Sequence, residues 1–239
     1  MIDVDFELIE AYSKIAPKYT RLKRKPWKDF QQYITLIRQF YQLPHSGIML
    51  DVGTGNCRNL LLFENQGWEY IATDISFELL SDSVSLLNNK ISHINSDMRW
   101  LPLRDRCIDF ALCIASLHHL RENKDVVRVL KNIKQVLKNN NYVIISCWRR
   151  WKKGTRKKMI RDLLVYPFKK ILYRKWRHGD IYLSWLGDNG KIIAKRYYHL
   201  FTKREITKVV VKSGFKIVNF AKLGGVEGDD NFFLLLEKT

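Results

Sequence analysis

DVGTGNCRNL, residues 51–60, joins an apolar run to a second apolar run through a turn that carries two glycines. Glycine lets a backbone turn sharply and approach a ligand closely, so the stretch reads as the carboxyl end of a strand followed by the start of a helix. The segments around it keep the same rhythm. GIMLDVG (47–53) predicts a strand, NCRNLLLFENQG (56–67) a helix ending at Gly67, WEYIATD (68–74) a strand, SFELLSDSVSLLNN (76–89) a helix and ISHINSD (91–97) a strand. CIDFALCIAS (107–116) has the unbroken apolar character of a strand buried on both faces. Residues 123–140 place Val126, Val127, Leu130, Ile133, Val136 and Leu137 on one helical stripe, and NYVIISCW (141–148) predicts the next strand. TKREITKVVVKSGF (202–215) reads as a last helix, and FKIVNFAKL and NFFLLLEKT as strands paired through the turn GGVEGDD. Alternation of strand and helix predicts an α/β fold: a doubly wound, mostly parallel seven-stranded sheet with a C-terminal antiparallel hairpin.

The turn restricts the ligand. A dinucleotide fingerprint requires glycine at position 58, where Arg58 stands, and a P-loop requires a Gly-Lys-Ser/Thr that is absent. Asp74 ends the second strand about 20 residues after the glycines, where a carboxylate can accept both hydroxyls of a ribose. Asp97 and Met98 end the third strand, and SLHHL (116–120) follows the fourth. Four strand ends therefore face one crevice, the place where open α/β sheets bind ligands.

This constellation resembles the class I S-adenosylmethionine-dependent methyltransferases over roughly residues 47–147 and the closing strands. The likeness implies S-adenosylmethionine as cofactor, held by Asp51, Gly53, Thr54, Gly55, Asp74, Ile75, Asp97, Met98 and Ala115. The sequence departs from that pattern at Cys57, where the family has a third glycine, and the backbone there is expected to avoid a glycine-only conformation. AYSKIAPKYTRLKRKPWKDF (11–30), SLHHL, GDIYLSW (179–185) and KRYYHLFTKREI (195–206) look like the tRNA wobble-uridine carboxyl methyltransferases, which esterify 5-carboxymethyluridine. This sequence has Ser184 where that family has proline. The likeness implies a small zinc-binding activator as partner, for which the surface near CIDFALCI is a candidate. A carboxylate is ionised near neutral pH, so its methylation needs alignment rather than a strong base. Candidate substrate-side residues are His118, His119, Arg24 or Lys23, Arg196, Tyr197, Tyr198 and His199.

Composition fits an RNA partner. Lys and Arg number 42 against 24 Asp and Glu, a net charge of +18 over 239 residues, which points to a polyanion: nucleic acid first, an anionic membrane second. The cations concentrate between residues 149 and 177, at Arg149, Arg150, Lys152, Lys153, Arg156, Lys157, Lys158, Arg161, Lys169, Lys170, Arg174, Lys175 and Arg177. They interleave with Trp148, Trp151, Tyr166, Phe168, Tyr173 and Trp176, a mixture suited to phosphates and splayed bases of an anticodon loop. The division expected is one methyltransferase domain, with a helical cap at 1–45 broken at Pro26, a cofactor-binding core at 46–148, a basic insertion at 149–200 and a closing helix and hairpin at 201–239. No run is apolar enough to span a bilayer and the N-terminal stretch is acidic, so a cytoplasmic protein without membrane contact is expected. Cys57, Cys107, Cys113 and Cys147 lack metal-ligand spacing, so no metal is expected. Two other readings fit the same residues. One is a methyltransferase of small molecules or lipids; the other is a non-catalytic RNA-binding protein that keeps a degenerate methyltransferase fold.

Overall fold

The computed structural model describes residues 6–64, 66–83, 91–172, 176–225 and 227–239. Two helices, α1 (Phe6–Leu22) and α2 (Lys28–Arg38), precede the sheet. The strands β1 (Ser46–Val52), β2 (Gly67–Asp74), β3 (Ile91–Asn95), β4 (Ile108–Ile114) and β5 (Leu137–Trp148) are mutually parallel. Helices α3 (Phe77–Ser83) and α4 (Asn123–Val136) lie between them in sequence. After α5 (Lys153–Leu172) come β6 (Asp180–Leu186), β7 (Ile192–His199), α6 (Lys203–Ser213) and the antiparallel strands β8 (Lys216–Leu223) and β9 (Asn231–Glu237). The seven strands of the main sheet run β3-β2-β1-β4-β5-β9-β8, and the sheet is mostly parallel with an antiparallel hairpin at one edge, as the alternation predicts.

Both faces of the sheet are covered, and the strand period sorts the side chains. Leu50, Val52, Ala111, Cys113, Val143, Ile145, Leu234 and Leu236 point to the face packed by α4 and α6. Met49, Phe110, Leu112, Ile144, Phe233 and Leu235 point to the other, where Phe30, Tyr33, Ile34 and Ile37 of α2 close the layer. The last helix starts sharply because Thr202 and Glu205 form a capping box, and it stops at Gly214, whose φ of 81° is left-handed.

Two expectations need correction, and one segment gains an assignment. The segment after β1 is a 3-10 helix, Arg58–Phe63, rather than an α-helix through Gly67. Cys57 in front of it is left-handed and Glu64 behind it is extended, so too few residues remain for a regular helix. GDIYLSW and KRYYH, two of the segments that carry the family likeness, form β6 and β7, a two-stranded antiparallel sheet separate from the main one. Residues along one face of that pair are buried against two different neighbours. Ala194 packs with Ala11 and Ile15 of α1, while Ile181 and Tyr198 pack with Met159 of α5. Finally, the stripe of α4 ends at Val136, because Leu137 already belongs to β5. Of the helix expected over 76–89, residues 84–89 lie outside the described residues. Among the described residues no helix is long and apolar enough to cross a membrane, and no cluster of His, Cys, Asp or Glu could hold a metal ion.

Candidate cofactor and substrate site

The order of strands reverses between β1 and β4, and a cavity of about 960 Å³ opens at the carboxyl ends of β1, β2, β3 and β4. Gly53, Thr54, Gly55, Asp74, Ile75, Asp97, Met98 and Ala115 line it. Asp51 stands one layer behind, buried, accepting a 2.7 Å hydrogen bond from the Thr54 hydroxyl. Burial pushes its carboxyl up to about 7.

The turn is shaped by what surrounds it. A Cβ on Gly53, whose φ is +69°, would fall 2.5 Å from Ser116 Oγ, so only glycine fits between the ends of β1 and β4. At Gly55 such a Cβ would make only ordinary van der Waals contacts, with Leu79 at 3.9 Å and Tyr19 at 4.0 Å, so the positive φ of +60° rather than crowding favours glycine there. Gly55 and Ser76 donate their backbone N–H groups to the two oxygens of Asp74, at 2.7 and 2.9 Å. That fixes the carboxylate at the cavity wall, and burial raises its pKa. Asp97 is held differently: Arg99 clamps both its oxygens, at 2.9 and 2.6 Å to Oδ2 and 3.0 Å to Oδ1. Ala115 has a φ of 55°, a left-handed conformation in a non-glycine residue at the site itself.

Cys57 does not avoid the glycine-like conformation. Its φ of 61° and ψ of 8° are left-handed, its side chain is buried, and burial pushes the thiol up to about 12. The third glycine of related turns serves this backbone, and here a small thiol tolerates it at a cost of about 1 kcal/mol.

Of the substrate-side candidates, His119 lines the cavity and is almost completely buried. Its Nδ1 lies 2.9 Å from the carbonyl oxygen of Tyr197, which can only accept, so Nδ1 carries the proton. Nε2 therefore accepts from the Tyr12 hydroxyl at 2.9 Å. Burial lowers the imidazole to about 4, and it is neutral at pH 7. His118 is buried behind His119, against Trp148 and Tyr198, and does not line the cavity.

Tyr198 stacks on Trp148 with centroids 4.6 Å apart, and Arg196 lies over Tyr12, Trp185 and Tyr198. Neither lines the cavity; both brace α1 against the β6–β7 pair. Tyr197 and His199 both bond Asp180 Oδ1, at 2.7 and 2.6 Å, in a buried polar cluster. Lys23 and Arg24 are exposed and also lie off the cavity lining. The residues that do meet the cavity from this side are Tyr12, Tyr19, Trp27, Arg58, Arg121, Trp176 and Tyr182. Helical spacing in α1 makes Tyr12 look like core, and Arg121 falls one residue beyond SLHHL, so both escape a motif-based reading.

The basic insertion splits into two groups. Arg149 pairs with Asp229, buried Arg150 with Glu205, and Lys152 lies 4.3 Å over Trp148. Exposed cations on α5 include Lys153, which pairs with Glu227, and Arg156, Lys157, Lys158 and Arg161. Lys169 pairs with Asp162 at 2.6 Å and reaches the cavity, whereas Arg177 bonds the carbonyl of Leu120. Tyr173, Arg174, Lys175 and the side chain of Lys170 lie outside the description. Trp148, Trp151, Tyr166 and Trp176 are partly buried in ring contacts, leaving Phe168 as an exposed aromatic among those described. The outer face of α5 also carries exposed Ile160, Leu164 and Ile171.

The cavity suits S-adenosylmethionine. A fixed carboxylate at the β2 end meets the ribose requirement, Gly53 and Gly55 bring the backbone of the turn to the cavity lining, and the volume exceeds what one cofactor fills. Residues 50–145 match the family model described as a methyltransferase domain.

Residues 50–145 are a methyltransferase domain. S-adenosylmethionine, which the lining of the cavity suits, would supply an electrophilic methyl group there. The chain is similar to the tRNA (carboxymethyluridine(34)-5-O)-methyltransferase of Schizosaccharomyces pombe, 24% identical over 96% of this chain and 95% of that one. A crystal structure of a SAM-dependent methyltransferase from Methanosarcina mazei matches with a TM-score of 0.65 at 21% identity, covering 85% of this chain and 96% of the other. A chain in the complex between the Haloferax volcanii Trm112 methyltransferase activator and a methyltransferase matches with a TM-score of 0.66 at 10% identity, covering 97% of each.

Proposed function

We propose that this methyltransferase esterifies the carboxylate of 5-carboxymethyluridine at the wobble position of tRNA, in the cytoplasm. One observation carries the reading: the histidine beside the cofactor wall, His119, is neutral and has both nitrogens engaged, so it offers no vacant acceptor for a substrate proton. An acceptor that arrives ionised needs none. The aromatic and cationic side chains Tyr12, Tyr19, Trp27 and Arg58, which line the same cavity, suit a planar base with a phosphate nearby. Likeness to the fission-yeast enzyme over nearly the whole chain, including the segments outside residues 50–145, supports the substrate class.

In this reading the glycine turn lies against the methionine part of the cofactor, Asp74 takes the ribose hydroxyls, and Asp97 and Met98 meet the adenine. Residues 1–45 act as a cap, 46–148 as the cofactor core, 149–200 as the RNA-facing insertion and 201–239 as the closing unit. Exposed cations of α5 meet the tRNA backbone. We also infer a heterodimer with a small zinc-binding activator, prompted by the Haloferax volcanii complex. β4 itself is buried between β1 and β5, so the outer strands of the main sheet, β3 and β8, are the candidate contact surface.

Incubation with labelled S-adenosylmethionine and tRNA carrying 5-carboxymethyluridine tests the reading. The expected product is a wobble nucleoside whose label is released by mild alkali, as a carboxyl ester requires. An alkali-stable product, or transfer only to small acids, would overturn it.

A further inference from the structure

On the lining of the same cavity, two hydrogen-bond donors converge on one carboxylate oxygen. Arg121 Nη2 donates to Glu7 Oε2 at 2.6 Å, and the Tyr182 hydroxyl donates to the same oxygen at 3.2 Å. The Tyr182 oxygen accepts from both terminal nitrogens of Arg121, each at 3.2 Å, which fixes the phenol proton toward the carboxylate. The guanidinium plane rests 4.5 Å above the ring of Tyr197. Arg121 and Tyr182 line the cavity; Arg121 is joined to Ala115 and Ser116 of the cofactor wall by the short 3-10 helix Leu117–His119. Glu7 comes from the first turn of α1, its side chain is 53% exposed, and its neighbours Phe6 and Leu8 line the cavity. A half-exposed acid on a pre-built receptor inside a substrate cavity is easily displaced by another acid.

We propose that Arg121 and Tyr182 are the receptor for the substrate's own carboxylate, and that Glu7 holds this place until substrate arrives. The inference rests on the carboxyl-methyltransferase reading and adds to it the residues that recognise the acid. In the reaction one carboxylate oxygen stays on Arg121 and Tyr182 while the other attacks the methyl carbon. The new C–O bond forms as the C–S bond breaks, its electron pair goes to sulfur, and no proton moves. The ester is neutral, so its ionic partnership with Arg121 ends and Glu7 can return, which favours release of product over substrate. The same logic separates the acid from its amide, a neutral group of nearly the same shape.

Two anticodon stem-loops test this, one bearing 5-carboxymethyluridine and one bearing its carbamoylmethyl amide. Wild-type protein with cofactor is expected to bind the acid at least about tenfold tighter than the amide, as a charge-assisted hydrogen bond implies. Arg121→Gln should abolish that preference, Arg121→Lys should restore part of it, and Tyr182→Phe should reduce it. Glu7→Gln should tighten binding of the acid by about threefold or more without changing the amide. The corresponding change in transfer should appear in KM, and calorimetric affinity for S-adenosylmethionine should stay at the wild-type value in every variant. Arg121→Gln with an intact acid preference, or Glu7→Gln weakening the acid as Arg121→Gln does, would overturn the proposal. Should Arg121→Gln fail to fold, Glu7→Gln and Tyr182→Phe decide the matter. Binding reads out whether or not methyl is transferred: transfer without a role for Arg121 removes this inference alone, and absence of transfer to tRNA removes the functional reading.

Discussion

Cys57 shows how a single backbone angle explains a motif. Its φ of 61° is the reason related turns carry glycine there, and the chain keeps a buried thiol at that point. Two substitutions separate the terms. Cys57→Ala loses the thiol's packing and keeps the left-handed backbone; Cys57→Gly loses the same packing and frees the backbone. Urea unfolding should therefore find Cys57→Gly more stable than Cys57→Ala by about 1 kcal/mol, the reverse of the usual order for these residues. Alanine equal to or better than glycine would show that position 57 is not held left-handed in solution. The sequence marks this position as unusual through the missing glycine, but not the angle itself, because φ depends on the path the chain takes between β1 and the 3-10 helix.

At the scale of elements, the β6–β7 pair decides which residues of the insertion are structural. Gly179, with a φ of +105°, leaves room for Arg150: a Cβ there would fall 2.6 Å from its Nε. Arg150 then bonds the Leu200 carbonyl and both oxygens of Glu205, the residue that also caps α6. One buried guanidinium thus ties the insertion to the closing helix. Arg150→Ala should lower stability by about 3 kcal/mol, because it strands a partly buried carboxylate, and Arg150→Lys should rescue little, since an ammonium cannot bond both oxygens. Thermal or denaturant unfolding measures this; an unchanged midpoint would return Arg150 to the RNA-contacting cations. Sequence reading groups Arg150 with its neighbours because charge density is visible in one dimension and pairing with residue 205 is not. Tyr198, Arg196 and His199 follow the same rule: KRYYH is legible as a distinctive motif, yet strand alternation puts its side chains into ring stacks and the Asp180 cluster rather than the cavity.

For the whole molecule, a net charge of +18 is a long-range property that no single pair cancels. Binding to tRNA should weaken steeply with salt, and the double reversal Lys157→Glu with Lys158→Glu should lower affinity by at least about tenfold near 0.1 M salt and reduce the salt slope by about 2. Both side chains are exposed on α5, so unfolding midpoints should shift by less than about 0.5 kcal/mol. Equal binding at low and high salt would exclude an electrostatic role for this helix. The contrast with Arg150 is the informative part: neighbouring cations of the same segment should separate into one that holds the fold and others that hold the ligand.

The sequence by itself determined the mostly parallel seven-stranded sheet and the crevice at its strand ends. Hydrophobic period and glycine placement are local signals, and right-handed βαβ crossovers leave few compact arrangements, of which the structure shows one. Eight of the nine residues read as cofactor contacts line one cavity, with Asp51 behind them, because strand ends adjacent in the rhythm are adjacent in space. Only tertiary structure decided the substrate side. There α1, the segment after β4 and the β6–β7 pair meet from distant parts of the chain, and whether Tyr12, His119, Arg121 or Tyr198 faces the cavity depends on packing between elements that no local pattern encodes.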